Sequence, residues 1–107
     1  MFINDEIIKI RDAIVSTVPV EKLYLFGSYA YGSTDENSDY DFYIVIPDGG
    51  MRPIDAIGDA HLAMRGMNVK PVDILAGTAE IFNRRAGQVT IERKIAREGV
   101  VLYERGG

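Results

Sequence analysis

Three short, mostly apolar runs constrain the fold of this chain more than any other feature. They are KLYLF at 22–26, DYDFYIVI at 39–46 and KPVDILA at 70–76, and each is followed by turn-forming residues. Runs of this length that are rich in β-branched and aromatic residues are typical of strands. We therefore expect a sheet. Pro71 places the third strand at an edge or marks the start of that strand.

Helical segments alternate with these strands. One is predicted over residues 4–17, with Ile7, Ile10 and Ile14 on one face. Others are predicted at 28–34, 53–65, 78–85 and between Gly87 and Gly99, and a terminal strand at 100–103. The residues expected to face the core are Ile54, Ile57, His61 and Met64 in the third helix, and Ile91 and Ile95 in the last. The order α-β-α-β-α-β-α-α-β predicts an α/β (α+β) fold, a mixed sheet of about four strands flanked by helices.

Size and composition exclude several classes of protein. At 107 residues, the chain is expected to form one domain over 1–107. It has no Cys and one His, which excludes disulfide frameworks and the usual zinc sites. No apolar stretch approaches the roughly 20 residues of a membrane helix, and the N-terminus does not resemble a secretory signal. These features predict a cytoplasmic protein without a membrane partner.

Charge is unevenly distributed along the chain. The net charge is −4, which argues against general binding to nucleic-acid backbones. Residues 35–59 carry seven acids and one base, whereas residues 65–105 carry eight bases and five acids. This asymmetry suggests a cation site in the first region and an anion contact or partner surface in the second.

Gly27 and Ser28 stand where the first strand meets a helix. A glycine there lets a ligand approach the backbone, and a helix start offers free N–H groups to phosphate. By itself this pair is more often a simple turn and helix cap. It therefore needs support from other residues.

Three aspartates provide that support. Asp39 and Asp41 open a strand and point to the same face because side chains alternate along a strand. Asp73 interrupts an apolar strand, where an unpaired acid is costly. If the two strands are adjacent, the three carboxylates meet and favour a hard cation such as Mg²⁺, with Mn²⁺ as the alternative. Such a cluster beside a phosphate-binding turn is typical of two-metal phosphoryl or nucleotidyl transfer.

The spacing of these residues resembles a known family. Gly27-Ser28, ten intervening residues, Asp39-x-Asp41 and then Asp73 in an apolar strand resemble the signature of the DNA polymerase β-like nucleotidyltransferase superfamily. The segment LFGSYAYGSTDENSDYDFYIVI is most similar to the minimal nucleotidyltransferase (MNT) branch, and the resemblance extends to EGVVLYE at 98–104. It implies the polymerase β-like fold.

The resemblance also implies roles. Gly27 and Ser28 would hold the β- and γ-phosphates of ATP or another NTP. Asp39 and Asp41 would coordinate two metal ions, and Asp73 would bind the catalytic ion and help deprotonate the attacking hydroxyl. Many relatives have a basic residue at the position of Tyr31. Its absence here leaves the triphosphate to other cations, and Arg52, Lys70 and Arg84 are candidates by residue type.

The implied function is transfer of AMP, or another NMP, to an acceptor hydroxyl. In the MNT branch the acceptor is often a tyrosine of a helical HEPN toxin, so that the transferase acts as an antitoxin. Only 34 residues follow Asp73, which leaves little chain to hold an acceptor and favours a protein partner. Two alternatives stay open: an antitoxin acting by binding alone, and an aminoglycoside-type transferase for a small molecule, for which a homo-oligomer would have to complete the site.

Overall fold

The computed structural model describes residues 3–32 and 38–106. Nine elements alternate in the order expected from the sequence. They are α1 (Asp5–Thr17), β1 (Lys22–Phe26), α2 (Ser28–Tyr31), β2 (Tyr40–Ile46), α3 (Pro53–Ala63), β3 (Val72–Thr78), α4 (Ala79–Ala86), α5 (Ile91–Glu98) and β4 (Val100–Glu104). Thus the mixed α/β fold is confirmed, although β2 and β3 each begin one or two residues later than predicted. The loop predicted at 35–38 lies largely outside the described residues.

The four strands form one sheet in the order β3-β2-β1-β4. β1 is antiparallel to β2 and β4, whereas β2 and β3 run parallel, with α3 as their crossover. β3 is an edge strand, as Pro71 suggested, and the Pro71 carbonyl accepts a hydrogen bond from the Tyr40 amide at 3.2 Å. No helix among the described residues is long and apolar enough to span a membrane.

Helices cover both faces of the sheet. On the first, the α1–α3 face, Ile7, Ile10 and Ile14 pack as predicted. They meet alternate strand residues, namely Leu23, Leu25, Phe42, Ile44 and Ile46. On the second, the α4–α5 face, a smaller cluster contains Tyr24, Tyr43, Val45, Phe82 and Ile95. Strand side chains alternate between these faces, so that Asp41 shares the α4–α5 face with Tyr43 and Val45.

The predicted inner face of α3 is half right: Met64 is buried and Ile57 packs, partly buried, against the core, but Ile54 and His61 do not face it. Ile54 is 65% exposed and His61 is exposed, whereas Ala56 and Ala60 are fully buried and Met64 nearly so. α3 packs against both α1 and β3. Small alanine side chains let the helix approach closely, and the bulkier Ile54 is turned outward as a result.

The predicted inner face of α5 is half right. Ile95 is buried, but Ile91 is 46% exposed. The inward position belongs to Glu92, which is only 7% exposed. Glu92 accepts hydrogen bonds from Tyr43 at 3.1 Å and from Arg85 at 2.9 Å. These bonds satisfy a buried carboxylate and fix the rotation of α5.

Candidate active site

Gly27 joins β1 to α2 in a conformation that favours glycine. Its φ is 73° and its ψ is −158°, a region that residues with a side chain rarely adopt. A Cβ at this position would lie 2.1 Å from Oδ2 of Asp41. The carboxylate of Asp41 therefore rests directly against the backbone turn that precedes Ser28. Glycine is required here for both conformation and space.

Asp41 and Asp73 are neighbours across the parallel pair of strands. They are register partners in the β2–β3 ladder. The adjacent residues Phe42 and Ile74 point into the α1–α3 core, so both carboxylates lie on the opposite face. The expectation that β3 lies beside β2 and brings these acids together is thus confirmed.

The electrostatics of Asp41 reflect this crowding. The pKa of Asp41 is raised to about 6, chiefly by burial, and the charges of Asp73 and Asp39 and a hydrogen bond with Asp73 contribute in the same direction. Like charges that share a site disfavour simultaneous ionisation. Asp41 is half-buried, whereas Asp39 and Asp73 are exposed. Asp41 is therefore the least solvated carboxylate of the three.

Asp73 differs from its prediction in one respect. It was expected inside a buried strand, but it is exposed because β3 is an edge strand whose α4–α5 face is uncovered there. Leu75, on the same side, is 38% exposed. The acid is accessible from solvent, where an acceptor could approach it.

The three carboxylates are not drawn together around one point. Across residues 3–32 and 38–106, no group of three or more His, Cys, Asp or Glu side chains is arranged to hold a metal ion. The close pair is Asp41 with Asp73, and Asp39 precedes the first residue of β2. The roles predicted for these residues and for Gly27 and Ser28 remain predictions.

Tyr31 ends α2 close to this cluster. Burial raises its pKa, the charges of Glu98 and Asp41 act in the same direction, and a hydrogen bond with the backbone of Gly27 opposes them. The side chain of Lys94, from α5, lies over its ring with Nζ 4.9 Å from the centroid. Sequence reasoning missed Lys94 because it is 63 positions from Tyr31 and belongs to no motif.

The cations suggested by residue type are engaged elsewhere. Arg52 pairs with Asp55 and Arg84 with Glu80, both on exposed helix surfaces. Lys70 donates a hydrogen bond to the Tyr29 hydroxyl at 2.9 Å. Of the basic residues considered, Lys94 is the one that the structure places against Tyr31.

Comparisons with known proteins identify solved structures with a similar fold. One chain of similar fold is from a crystal structure of a toxin–antitoxin with AMP-PNP, with a TM-score of 0.66, 18% identity and coverage of 96% of this chain and 76% of that chain. Another is a protein from Sulfolobus solfataricus assigned to the nucleotidyltransferases, with a TM-score of 0.61, 23% identity and coverage of 91% and 76%. A search of curated proteins found no match.

A family model settles the relationship that the motif suggested. It is the model of the nucleotidyltransferase domain, and it matches residues 7–102. The matched region runs from the first turn of α1 into β4 and so includes Gly27, Asp41 and Asp73. The chain belongs to the nucleotidyltransferase domain family.

Proposed function

We propose that this chain transfers a nucleoside monophosphate, AMP in the first instance, from a nucleoside triphosphate to a hydroxyl of a partner protein and thereby acts as an antitoxin. The observation that carries the proposal is the pairing of Asp41 with Asp73 against the Gly27 turn. It lies within the fold of a nucleotidyltransferase domain. We take Gly27 and Ser28 as the nucleotide-binding turn.

The carboxylate cluster suits a divalent metal by its chemistry. Its donors are all oxygen, which Mg²⁺ prefers. The raised pKa of Asp41, with Asp73 and Asp39 both acting to raise it, marks a site where negative charge is concentrated. Asp39, Asp41 and Asp73 would hold the metal, Mg²⁺ first and Mn²⁺ as the alternative, and two ions when the site is fully loaded. Bound metal would neutralise the charge that develops on the attacking and leaving oxygens.

The reaction that we propose exchanges one bond at the α-phosphorus for another. The acceptor oxygen forms a bond to the α-phosphorus, the bond from that phosphorus to the β-bridging oxygen breaks, and pyrophosphate leaves. We propose that Asp73, which is exposed at the sheet edge, accepts the proton of the acceptor hydroxyl. Asp41, half-buried against the Gly27 turn, would hold the metal ion beside that turn.

A protein acceptor fits this open site best. The α4–α5 face is uncovered along β3 at Asp73 and Leu75, so no element of the described chain covers the reacting edge. A large acceptor could dock there without displacing a lid. The MNT resemblance and the toxin–antitoxin neighbour make a helical HEPN-type toxin, modified on a tyrosine, the partner that we propose. Such a pair would act in the cytoplasm.

Labelled ATP tests this function directly. The purified chain is incubated with Mg²⁺, the protein encoded by the neighbouring gene and ATP that carries its label on the α-phosphate. We expect label on the partner, whereas label on the γ-phosphate should appear only in pyrophosphate. Asp41→Asn should abolish transfer. Asp59→Asn on α3 is the matched control, because it makes the same chemical change on the other side of the sheet.

Two other results would replace the proposal. If the partner is inhibited without becoming labelled, the chain is an antitoxin that acts by binding. If label appears on an aminoglycoside or a similar small molecule with no partner present, the chain is a small-molecule transferase. Each result excludes protein modification as the function of the site.

A further inference from the structure

Three cations on α5 have no carboxylate partner among the described residues. Six other basic side chains form ion pairs there: Arg11, Lys22, Arg52, Arg84, Arg85 and Arg105. Arg93, Lys94 and Arg97 do not, although they stand close together on an eight-residue helix. Their charge is therefore available to a ligand.

These cations line an open cleft. It has a volume of about 300 Å³ and is formed by Val89, Thr90, Arg93, Lys94, Arg97 and Glu98. One carboxylate faces three positive side chains, so the cleft carries a net positive charge. This contrasts with the overall net charge of −4. A cleft of this sign attracts anions to one part of an acidic protein.

Lys94 connects the cleft to the carboxylate site. Its Nζ lies 4.9 Å from the centroid of the Tyr31 ring, within the range of a cation–π contact. Tyr31 in turn contacts the Gly27 turn, because its amide donates to the Gly27 carbonyl at 3.0 Å. Gly27 rests against Asp41. The ammonium group therefore contacts a ring whose residue is hydrogen-bonded to the turn.

We infer that Lys94, held in place by the ring of Tyr31, binds the β- and γ-phosphates of the nucleoside triphosphate. The inference rests on the proposed function, which places the reacting α-phosphate at Asp41 and Asp73. The two remaining phosphates must then extend away from these acids and need positive charge. Lysine binds phosphate as a point charge and is suited to this task. Tyr31 acts as a positioning residue, since it touches Lys94 rather than the substrate.

Binding measurements separate this role from a general effect of charge. Calorimetry with ATP and with AMP, each with Mg²⁺, compares the whole protein with Lys94→Ala and with Lys9→Ala. We expect Lys94→Ala to weaken ATP binding roughly ten- to hundredfold, the range for lost contacts to charged groups, and to leave AMP binding unchanged. Lys9 is an equally exposed lysine on α1, so Lys9→Ala alters net charge identically and should leave both affinities unchanged.

The positioning role has its own test. Tyr31→Phe keeps the ring but loses the hydrogen bond of the hydroxyl with the Gly27 backbone, so it should retain more ATP affinity than Tyr31→Ala, which should weaken ATP binding and spare AMP. A purely structural defect at Tyr31 would weaken both nucleotides. Equal loss of ATP and AMP affinity in Tyr31→Ala would therefore overturn the role of the ring.

Three results would overturn the inference on Lys94. Unchanged ATP affinity in Lys94→Ala, beside a wild type that binds ATP, would overturn it and leave the proposed function intact. The same variant losing affinity only for the protein partner would assign the cleft to partner docking. A wild type that binds neither ATP nor any other triphosphate would overturn the proposed function together with the inference.

Discussion

The two faces of the sheet have opposite characters. The α1–α3 face is closed and mainly aliphatic, and Ile7, Ile10, Ile14 and Ile44 are fully buried in it. The α4–α5 face is aromatic and polar, contains the buried Glu92 and is uncovered at Asp73. Strand alternation places Phe42 and Ile44 on the first face, and the acids on the second face beside the smaller apolar cluster. Stability is thus concentrated on one face, and the groups suited to chemistry on the other.

This division has a physical basis. Carboxylates that bind metal or accept protons must be partly solvated, because full burial of an unpaired charge is too costly. A closed aliphatic layer has no room for such groups. Each strand carries one row of side chains on each face, so the same strands can contribute to a closed hydrophobic layer on one side and to partly solvated carboxylates on the other. Four predictions test how far the two faces are independent.

The largest effect on stability is expected from the α1–α3 face. Ile44→Ala removes a fully buried side chain from the middle of β2 and should lower the free energy of unfolding by about 2–5 kcal/mol. Ile54→Ala is the matched control, since Ile54 is 65% exposed, and it should change stability by less than about 0.5 kcal/mol. Urea denaturation measures both. Equal losses would mean that this face is not the main source of stability.

Unlike Ile44→Ala, a substitution in the Gly27 turn should reduce activity more than stability. Gly27→Ala forces a side chain into a φ of 73° and against Asp41, at a cost of about 1–3 kcal/mol in strain. Because the displaced group is Asp41, we expect transfer activity to disappear even in protein that remains folded. Circular dichroism and the labelled-ATP assay report the two quantities. Gly49→Ala, at a φ of 77° with open space around it, is the control for backbone strain alone.

Much of this arrangement could be predicted from local sequence. Gly and Pro mark the ends of the elements, and the buried strands are readable from their apolar composition. The parallel neighbours β2 and β3 follow from the intervening helix, and they bring Asp41 to Asp73. These features depend on residues close in sequence or on one simple crossover.

Other features depend on tertiary packing and could not be predicted. The rotation of α3 follows from the small size of Ala56 and Ala60, which lets the helix approach α1 closely. A prediction from hydrophobicity alone does not take side-chain size into account. Burial of Glu92 instead of Ile91 depends on partners at Tyr43 and Arg85. The contact of Lys94 with Tyr31 joins α5 to α2 and leaves no periodic signal in the sequence.

The ion pair of the buried Glu92 with Arg85, on the α4–α5 face, should contribute more than a pair in which both partners are exposed. Glu92→Ala removes the partner of Arg85 and leaves the buried Tyr43 hydroxyl without its acceptor, which should cost about 1–3 kcal/mol of unfolding free energy. Glu80→Ala breaks a similar pair with Arg84 on the surface of α4 and should cost about 0–1 kcal/mol. Thermal unfolding of the two variants compares them. If they melt alike, Glu92 does not anchor α5.

The smallest effect is expected from the protonation of Asp41. Its pKa is about 6 in the folded protein and close to 3.8 when unfolded, so the folded state binds more protons between these values. The contribution of Asp41 to stability then falls as pH rises from 4 to 6 and levels off above that window. Since the carboxylate is only half-buried, we expect a loss of roughly 1 kcal/mol. Asp41→Asn should remove this part of the pH dependence in metal-free buffer, and Asp59→Asn should retain it. If stability falls less across this window in the wild type than in Asp41→Asn, Asp41 is stabilised as its anion, and the acids of the α4–α5 face do not repel one another.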